Sequence, residues 1–585
     1  MTKKTPPGHR PGQATTDQGR RRVIKGFAAG SLLPLLGANL LACSDNDRDS
    51  VPREPGVAAS FRHGVASGDP LENRVIIWTR ATPETEGTVQ LRWEVASDEA
   101  FSNIVASGRG STSADTDYTA KVDVQGLSPG SEYYYRFFTG ETASPTGRTR
   151  TLPAAGVTAV SFAVLSCSNY PAGFFNVYKE VAKADVDAVL HLGDYIYEYG
   201  ADGYATGRAE EFGRQPQPPG EITRLSDYRT RYAQYRSDGD LQSAHAAHPF
   251  IVVWDDHEIC NDTWKAGAQN HQPDAEGDFQ QRVQAALQAW YEWMPIRPVG
   301  MDDQIIYRQF QYGDLVDLLM LDTRLVGRDE QLRYSDLSDQ NGINVEAARA
   351  AIADSRRSLL GATQSQWLNT RLTQSTATWQ VLGQQVLMGR YDIPARILEN
   401  LNPWNNPDIE AGKALLRESV AAKTTAVAER TPAQQALLDS AIPNNLDAWG
   451  GYAFSRDELM DQAREAGARL VSFAGDTHNA WASQLTDAQG NIVGVELATS
   501  SVSSPGLESF LGEETALRFE AAMVTLIDGL HYTNLRDRGY LLATFTPTSV
   551  TARWRFVSNT DSTTYTLLDD RAYDLTVFAA DMRLG

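Results

Sequence analysis

The strongest constraint on the fold is a set of short, almost wholly apolar runs that each stop at a polar cluster. VSFAVLSC, DAVLHLGD, HPFIVVWDD, DLVDLLMLDTR, TWQVLGQQV and ARLVSFAGD follow one another between residues 160 and 476. A strand with one wet face alternates apolar and polar residues, whereas a run without alternation must be covered on both faces. Helical stretches such as FQQRVQAALQAWYEWM lie between the runs, and their aromatics Trp290, Tyr291 and Trp293 are expected in the core. The pattern predicts an α/β (α+β) body of sandwiched β-sheets flanked by helices, occupying residues 154–585.

Ahead of Pro153 the grammar differs. NRVIIWTRA, VQLRWEVAS, AKVDVQ and EYYYRFF are separated by Gly, Pro, Ser and Asp turns. GLSPGSEYYYRF resembles a fibronectin type III or immunoglobulin-like strand pair, so residues 59–153 are expected to form an N-terminal β-sandwich domain. Residues 395–450 read as an insertion, with ERTPAQQALLDSAI helical. At the amino end, basic residues precede FAAGSLLPLLGANLLA, which is shorter than the roughly 20 apolar residues a spanning helix needs. Residues 1–42 are therefore expected to be a signal peptide. GRRRVIKG, with Arg20 and Arg21, resembles a twin-arginine signal read by the Tat translocase, and LLAC resembles a lipobox that would make Cys43 a lipid anchor. Residues 43–58 read as a linker, and the expected location is periplasmic or otherwise extracytoplasmic. A formal charge of −21 excludes a nucleic-acid scaffold role, because phosphate backbones are held by clustered Lys and Arg.

The chemistry sits where the runs end. Cys167 closes the first, Asp194 and Tyr197 follow the second, Asp255, Asp256 and His257 the third, and Asp476 and His478 the last. Ligand sites in α/β sheets lie beyond the carboxyl ends of strands, so these groups can converge. Singly, each Asp could cap a turn and each His could be a satisfied core residue. Together, with no Lys or Arg in those four segments, they would crowd negative charge at a cost that cations relieve. A thiolate and a phenolate suit Fe(III), and carboxylates with amide oxygens suit Ca(II), Mg(II) or Mn(II). Asp194 is the natural bridge between two ions. With three cysteines in 585 residues there is no disulfide framework, although Cys167 and Cys260 could form one bond.

GDYIY matches the GDxxY of the metallophosphoesterase superfamily that includes purple acid phosphatases. SCSNY, HLGDYIYE, WDDHEICND, LDTR, LGQQVL and AGDTHNAW resemble the PhoD-type alkaline phosphatases, as do GVASGDP, VIIWTR, LGATQSQWL and SSVSSPG. The resemblance runs in order from roughly Phe61 to Tyr540. It implies a metallophosphoesterase core in which Cys167, Asp194 and Tyr197 hold iron, with His478 as a further ligand on that side. It places Asp256, Gln385 and Asp476 on the second metal, an all-oxygen set that favours calcium. The implied cofactors are one Fe(III) with one or two Ca(II), and Mn or Zn stay compatible. His257 is implied as the catalytic group that touches phosphate and protonates the leaving alcohol. Asp255, Asn261, Arg324 and Arg390 are candidates for additional calcium or phosphate contacts, the two arginines equally for structural ion pairs. Cys260 is expected to be an incidental core thiol. The implied function is an exported alkaline phosphatase, monoesterase and/or diesterase, acting through metal-activated hydroxide on phosphate ester substrates. The rivals are a phospholipase D-like phosphodiesterase with the same site, and a non-catalytic binding lipoprotein with Cys167 bonded to Cys260.

Overall fold

In the computed structural model, residues 56–298, 305–401 and 408–584 are described, and the leader, Cys43 and nearly all of the linker lie outside them. Seven strands of four or more residues precede Pro153 among the described residues: β1 (Val65–Leu71), β2 (Arg74–Arg80), β3 (Val89–Ala96), β4 (Ile104–Thr112), β5 (Thr119–Gln125), β6 (Glu132–Thr139) and β7 (Gly147–Arg150). The first three apolar runs become β8 (Val160–Leu165), β9 (Ala188–His191) and β10 (Pro249–Val252). After β11 (Arg308–Tyr312), the remaining runs become β12 (Val316–Met320), β13 (Trp379–Gly383) and β14 (Leu470–Ala474). The chain continues with β15 (Ala480–Thr486), β16 (Ile492–Ala498), β17 (Leu530–Asn534), β18 (Arg538–Phe545), β19 (Ser549–Val557) and β20 (Tyr573–Phe578).

Two mixed sheets result. One has nine strands in the order β20-β19-β18-β8-β9-β10-β1-β2-β5, and the other has seven in the order β11-β12-β13-β14-β16-β15-β17. Each apolar run is an interior strand, and every residue of β9, β10, β12, β13 and β14 is buried. Between the sheets, Phe545 of the first lies 5.8 Å from Trp379 and 6.1 Å from Phe473 of the second, and Phe162 lies 5.1 Å from Tyr312. Outside the second sheet, Leu319, Leu382 and Leu470 share a core with Leu368 and Leu372 of helix Gly361–Gln374 and Leu459 and Met460 of helix Ala453–Glu465. Each such buried aliphatic side chain contributes about 1.5–3 kcal/mol. Helix Phe279–Trp293 buries Trp290 and Trp293 as expected, with Tyr291 partly covered. In the insertion, the helix is Pro432–Asp439, opened by a Thr431 and Gln434 capping box that leaves Glu429 and Arg430 outside it. No helix among the described residues is long and apolar enough to cross a membrane.

The N-terminal strands do form a sandwich. The sheet β7-β6-β3-β4, with the short strand Thr142–Ala143 on β6, sets Trp93, Val95, Tyr135 and Phe137 against Val75, Ile77, Val122 and Val124. The Tyr133 hydroxyl accepts the Ser128 N–H at 2.9 Å, tying the turn as in immunoglobulin-like modules. One layer of this sandwich, β1-β2-β5, is also the edge of the nine-stranded sheet, because β1 pairs parallel with β10. Gly68 permits that join, since a Cβ there would stand 2.3 Å from the Pro295 carbonyl and 2.5 Å from that of Phe250. The polar, alternating text of β4, exposed along most of its length, gave no strand signal in the sequence.

Candidate active site

The strand ends converge through unusual backbone. Cys167, Asp194, Asp476 and His478 all adopt left-handed φ, at 60°, 55°, 65° and 62°. For Cys and His this conformation is uncommon and costs on the order of 1–3 kcal/mol, so the surroundings must hold it. The Cys167 N–H donates to the Gly193 carbonyl at 3.2 Å, Ser168 N–H to Asp194 at 2.8 Å, and Gly475 N–H to Gln385 at 2.7 Å. These bonds join the end of β8 to that of β9 in one sheet and the end of β13 to that of β14 in the other.

One half of the site gathers dissimilar donors. A sulfur, a carboxylate oxygen and an imidazole nitrogen from Cys167, Asp194 and His478 lie within 4.8 Å of one another. The Tyr197 hydroxyl is 3.0 Å from Asp194 Oδ2 and 3.1 Å from His478 Nε2, and it accepts a hydrogen bond from Ser504 at 2.7 Å. His478 Nδ1 is 2.6 Å from the Pro505 carbonyl, which can only accept, so the proton sits on Nδ1 and the Nε2 lone pair faces the cluster. Burial holds His478 down at about 3 and pushes Cys167 and Tyr197 well above their ordinary ranges, with Asp194 adding to both of the latter shifts.

The other half is acidic. Asp255, Asp256 and Asp476 form a second donor group, and Asp194, Asp256 and His257 a third that links the two halves. Burial, then neighbouring carboxylates, raises Asp194 and Asp476 well above the carboxylate range. Asp255 is raised to about 6 by burial, against the pull of Arg324. Asp194 Oδ1 and Asp255 Oδ2 are buried without a hydrogen-bond partner. Oxygen atoms left in this way, beside a sulfur and an imidazole lone pair, fit metal ions.

Four side chains expected at or near the acidic half are committed to protein partners. The acidic half is not free of cationic side chains: Arg324 is fully buried among Asp255, Asp256 at 3.3 Å, Asp447 at 2.8 Å and Asp476 at 3.1 Å. It comes from LDTR, outside the segments that carry the acids. Gln385 is not presented as a free ligand, because its Oε1 accepts from Thr323 N–H and Oγ1 while its Nε2 donates to the Trp254 and Leu321 carbonyls. With Gln364, which brackets Asp322 from the other side, it fastens the turn that aims Arg324. Arg390 lies apart, its side chain 40% exposed and paired with Asp457. Asn261 sits near the site but turns its amide to Gln269 and gives its backbone N–H to Glu198.

Several contributors were not singled out in the sequence. Glu258 accepts the backbone N–H groups of Asp194, Tyr195 and Asp255, which locks two strand ends together. Glu198 receives His257 Nδ1 at 2.7 Å. Burial disfavours charge on His257, but Glu198, Asp256 and Asp194 outweigh it and hold the ring well above its ordinary pKa. Both glutamates are fully buried and stand inside GDYIYE and WDDHE, and that place beside the candidate ligands was the signal the sequence offered. Asp447 comes from the insertion, where nothing in the local sequence marks it. Cys167 and Cys260 are separate buried thiols.

A layered two-sheet core with sulfur, carboxylate and imidazole groups gathered at its strand ends is the architecture of a phosphoric ester hydrolase, and the comparisons agree. The chain belongs to the PhoD-like phosphatase family: the family profile matches residues 162–554, and that of the PhoD-like phosphatase N-terminal domain matches residues 47–153. Alkaline phosphatase D of Bacillus subtilis (strain 168) is 35% identical over 516 residues, spanning 85% of this chain and 77% of that protein. A solved structure described as that of PhoD superposes with a TM-score of 0.72 at 31% identity, covering 92% of this chain and 93% of the other. The non-catalytic rival with a Cys167–Cys260 disulfide is thereby set aside.

Proposed function

We propose that this chain is an exported alkaline phosphatase acting on phosphate mono- or diesters, with Fe(III) held by Cys167, Asp194, Tyr197 and His478 and Ca(II) on the side of Asp256 and Asp476. The observation that carries it is the gathering of a thiol, a carboxylate and an imidazole within 4.8 Å, with the Tyr197 hydroxyl beside two of them. Bound there, such a pair of ions supplies positive charge for the phosphoryl oxygens and lowers the pKa of water for in-line displacement at phosphorus. The side chains do the rest. Asp194, shared by two donor groups, spans the halves. Arg324 neutralises acids that a cation alone would have to balance, and His257 is the group placed to protonate the departing alcohol. Full ionisation of substrate and water favours an alkaline optimum.

Metal analysis with visible absorbance tests the centre: Fe(III) bound to a tyrosinate gives a purple charge-transfer band, and a colourless, iron-free but fully active protein would reject iron. Parallel assays of a monoester, a bis-ester and phosphatidylcholine separate the phosphatase reading from the phospholipase D-like one. Export rests on the leader sequence. Arg20→Lys with Arg21→Lys should leave the protein in the cytoplasm, and Cys43→Ser should release it from the membrane fraction; unchanged fractionation would refute the corresponding step.

A further inference from the structure

Glu198 follows Tyr197 directly in GDYIYE and is fully buried, yet it belongs to none of the three donor groups among the described residues. Its Oε2 accepts from His257 Nδ1 at 2.7 Å. Its Oε1 accepts the Asn261 backbone N–H at 2.8 Å and the Asn270 side-chain amide at 2.9 Å. A carboxylate held by three donors and closed off from water cannot swing, and the ring bonded to it inherits that fixity. The imidazole is also packed against Tyr197 at 4.3 Å and Tyr199 at 5.4 Å between ring centres. Because an ionised carboxylate only accepts, the Glu198 bond keeps a proton on Nδ1 and leaves Nε2 as the nitrogen available for chemistry. A ring nitrogen of His257 stands within 4.8 Å of carboxylate oxygens of Asp194 and Asp256, so the imidazole borders the reacting region.

We propose that Glu198 is a positioning residue that fixes the orientation of His257 and holds its Nδ1 proton, so that the protonated ring presents Nε2–H to the leaving oxygen of the ester. This rests on the reading of His257 as the leaving-group acid. As a water-derived oxygen bonds to phosphorus, the P–O bond to the alcohol breaks and its electron pair stays on the alcohol oxygen, which takes the Nε2 proton. The Nδ1 proton remains on the neutral ring, held by Glu198, and Nε2 is reprotonated from water. The help matters in proportion to how poorly the alcohol leaves: an alkoxide needs the proton, and a nitrophenolate hardly does.

The test uses the metal-loaded protein and compares kcat/KM for an alkyl phosphate and a nitrophenyl phosphate. Glu198→Gln keeps the shape but removes the charge, and is expected to lower the alkyl ester by about 10²-fold and the nitrophenyl ester by less than about 10-fold, mainly in kcat and with metal content unchanged. Asn270→Ala loosens the same carboxylate from a half-buried loop and should give the same ordering with a loss of about 3- to 10-fold on the alkyl ester, which keeps the proposal testable if the first variant fails to fold. Equal losses on both esters, no loss, or loss of metal would overturn the positioning role. His257→Asn separates the two readings. If it does not widen the gap between the esters, the acid role of His257 falls; if it does and the Glu198 variant does not, only the role of Glu198 falls.

Discussion

The two halves of the active site solve the same problem by different means. Around Cys167 and His478, the donor atoms are aimed by backbone: both residues sit in left-handed φ, as Asp194 and Asp476 also do, and their neighbours are stitched across the strand ends by main-chain hydrogen bonds. Around Asp256 and Asp476, the burden is charge, and it is met by the single guanidinium of Arg324, itself held by Gln385 and Gln364 through the turn that carries it. A soft donor set needs exact direction and little neutralisation, whereas a cluster of carboxylates needs neutralisation first. The first half should therefore fail through loss of chemistry, and the second through loss of stability.

The largest expected effect comes from Cys167→Ser. The hydroxyl fits the space of the thiol, so far-ultraviolet circular dichroism should be unchanged, while iron, colour and at least about 10²-fold in activity are lost. Asp476→Asn should do the reverse, losing calcium and activity but keeping the charge-transfer band. If both variants lose both metals together, the halves are one unit and the comparison fails. Next in size is Arg324→Met. It leaves Asp255, Asp256 and Asp476 facing one another in a buried site, with Asp447 still paired to Arg328, and removal of one partner from such a network costs about 3–5 kcal/mol. Denaturant unfolding of the metal-free protein should show that loss, and millimolar calcium should restore part of it by binding the folded state.

The same contrast governs what could be foreseen from the sequence. The interior strands were legible because burial on both faces leaves an unbroken apolar run, and the ligand candidates because each such run ends at them. VLSC, GDYIY, DDHE and GDTH each deliver their residues to one place. Gln385 illustrates the limit: its position in LGQQV at a strand end is real, but which way an amide points is decided by Thr323, Trp254 and Leu321, none of them near it in sequence. Arg324 was a candidate, but its pairing with four acids, Asp447 among them, was hidden for a related reason, since charge compensation is a three-dimensional sum that no single motif contains. The sandwich was visible as alternation in β3 and β6, but its fusion to the central sheet depends on a parallel pairing between Ser67 and Pro249, remote in the chain.

A smaller effect follows from proton linkage in the acidic half. Asp255 is raised to about 6 and Asp262 to about 7, in both cases chiefly by burial and then by neighbouring carboxylates, with Arg324 opposing. Between the ordinary carboxylate range near 4 and those values, the folded metal-free protein holds protons that the unfolded chain has released. Raising the pH through that window therefore destabilises it, by about 1.4 kcal/mol per pH unit for each such proton. Cations reverse the logic, because they favour the ionised acids. Melting temperature should fall from pH 5 to pH 7 in chelator and be flat or rising with calcium; parallel curves would show that the acidic half binds no cation.

The smallest effect marks the border of the site. Arg390 was a candidate for neutralising phosphate, but its guanidinium pairs with Asp457 at 2.7 Å, with the two side chains 40% and 29% exposed. Exposed ion pairs contribute about 0–1 kcal/mol, because water screens the attraction and long side chains lose freedom in making it. Asp457 keeps a second partner in Arg456 at 3.1 Å, so removing Arg390 strands no buried charge. Arg390→Ala should thus change unfolding free energy by less than about 1 kcal/mol and leave KM for a monoester within about twofold. A rise in KM of tenfold or more would bring Arg390 into substrate binding, and the acidic half would then extend beyond the reach of Arg324.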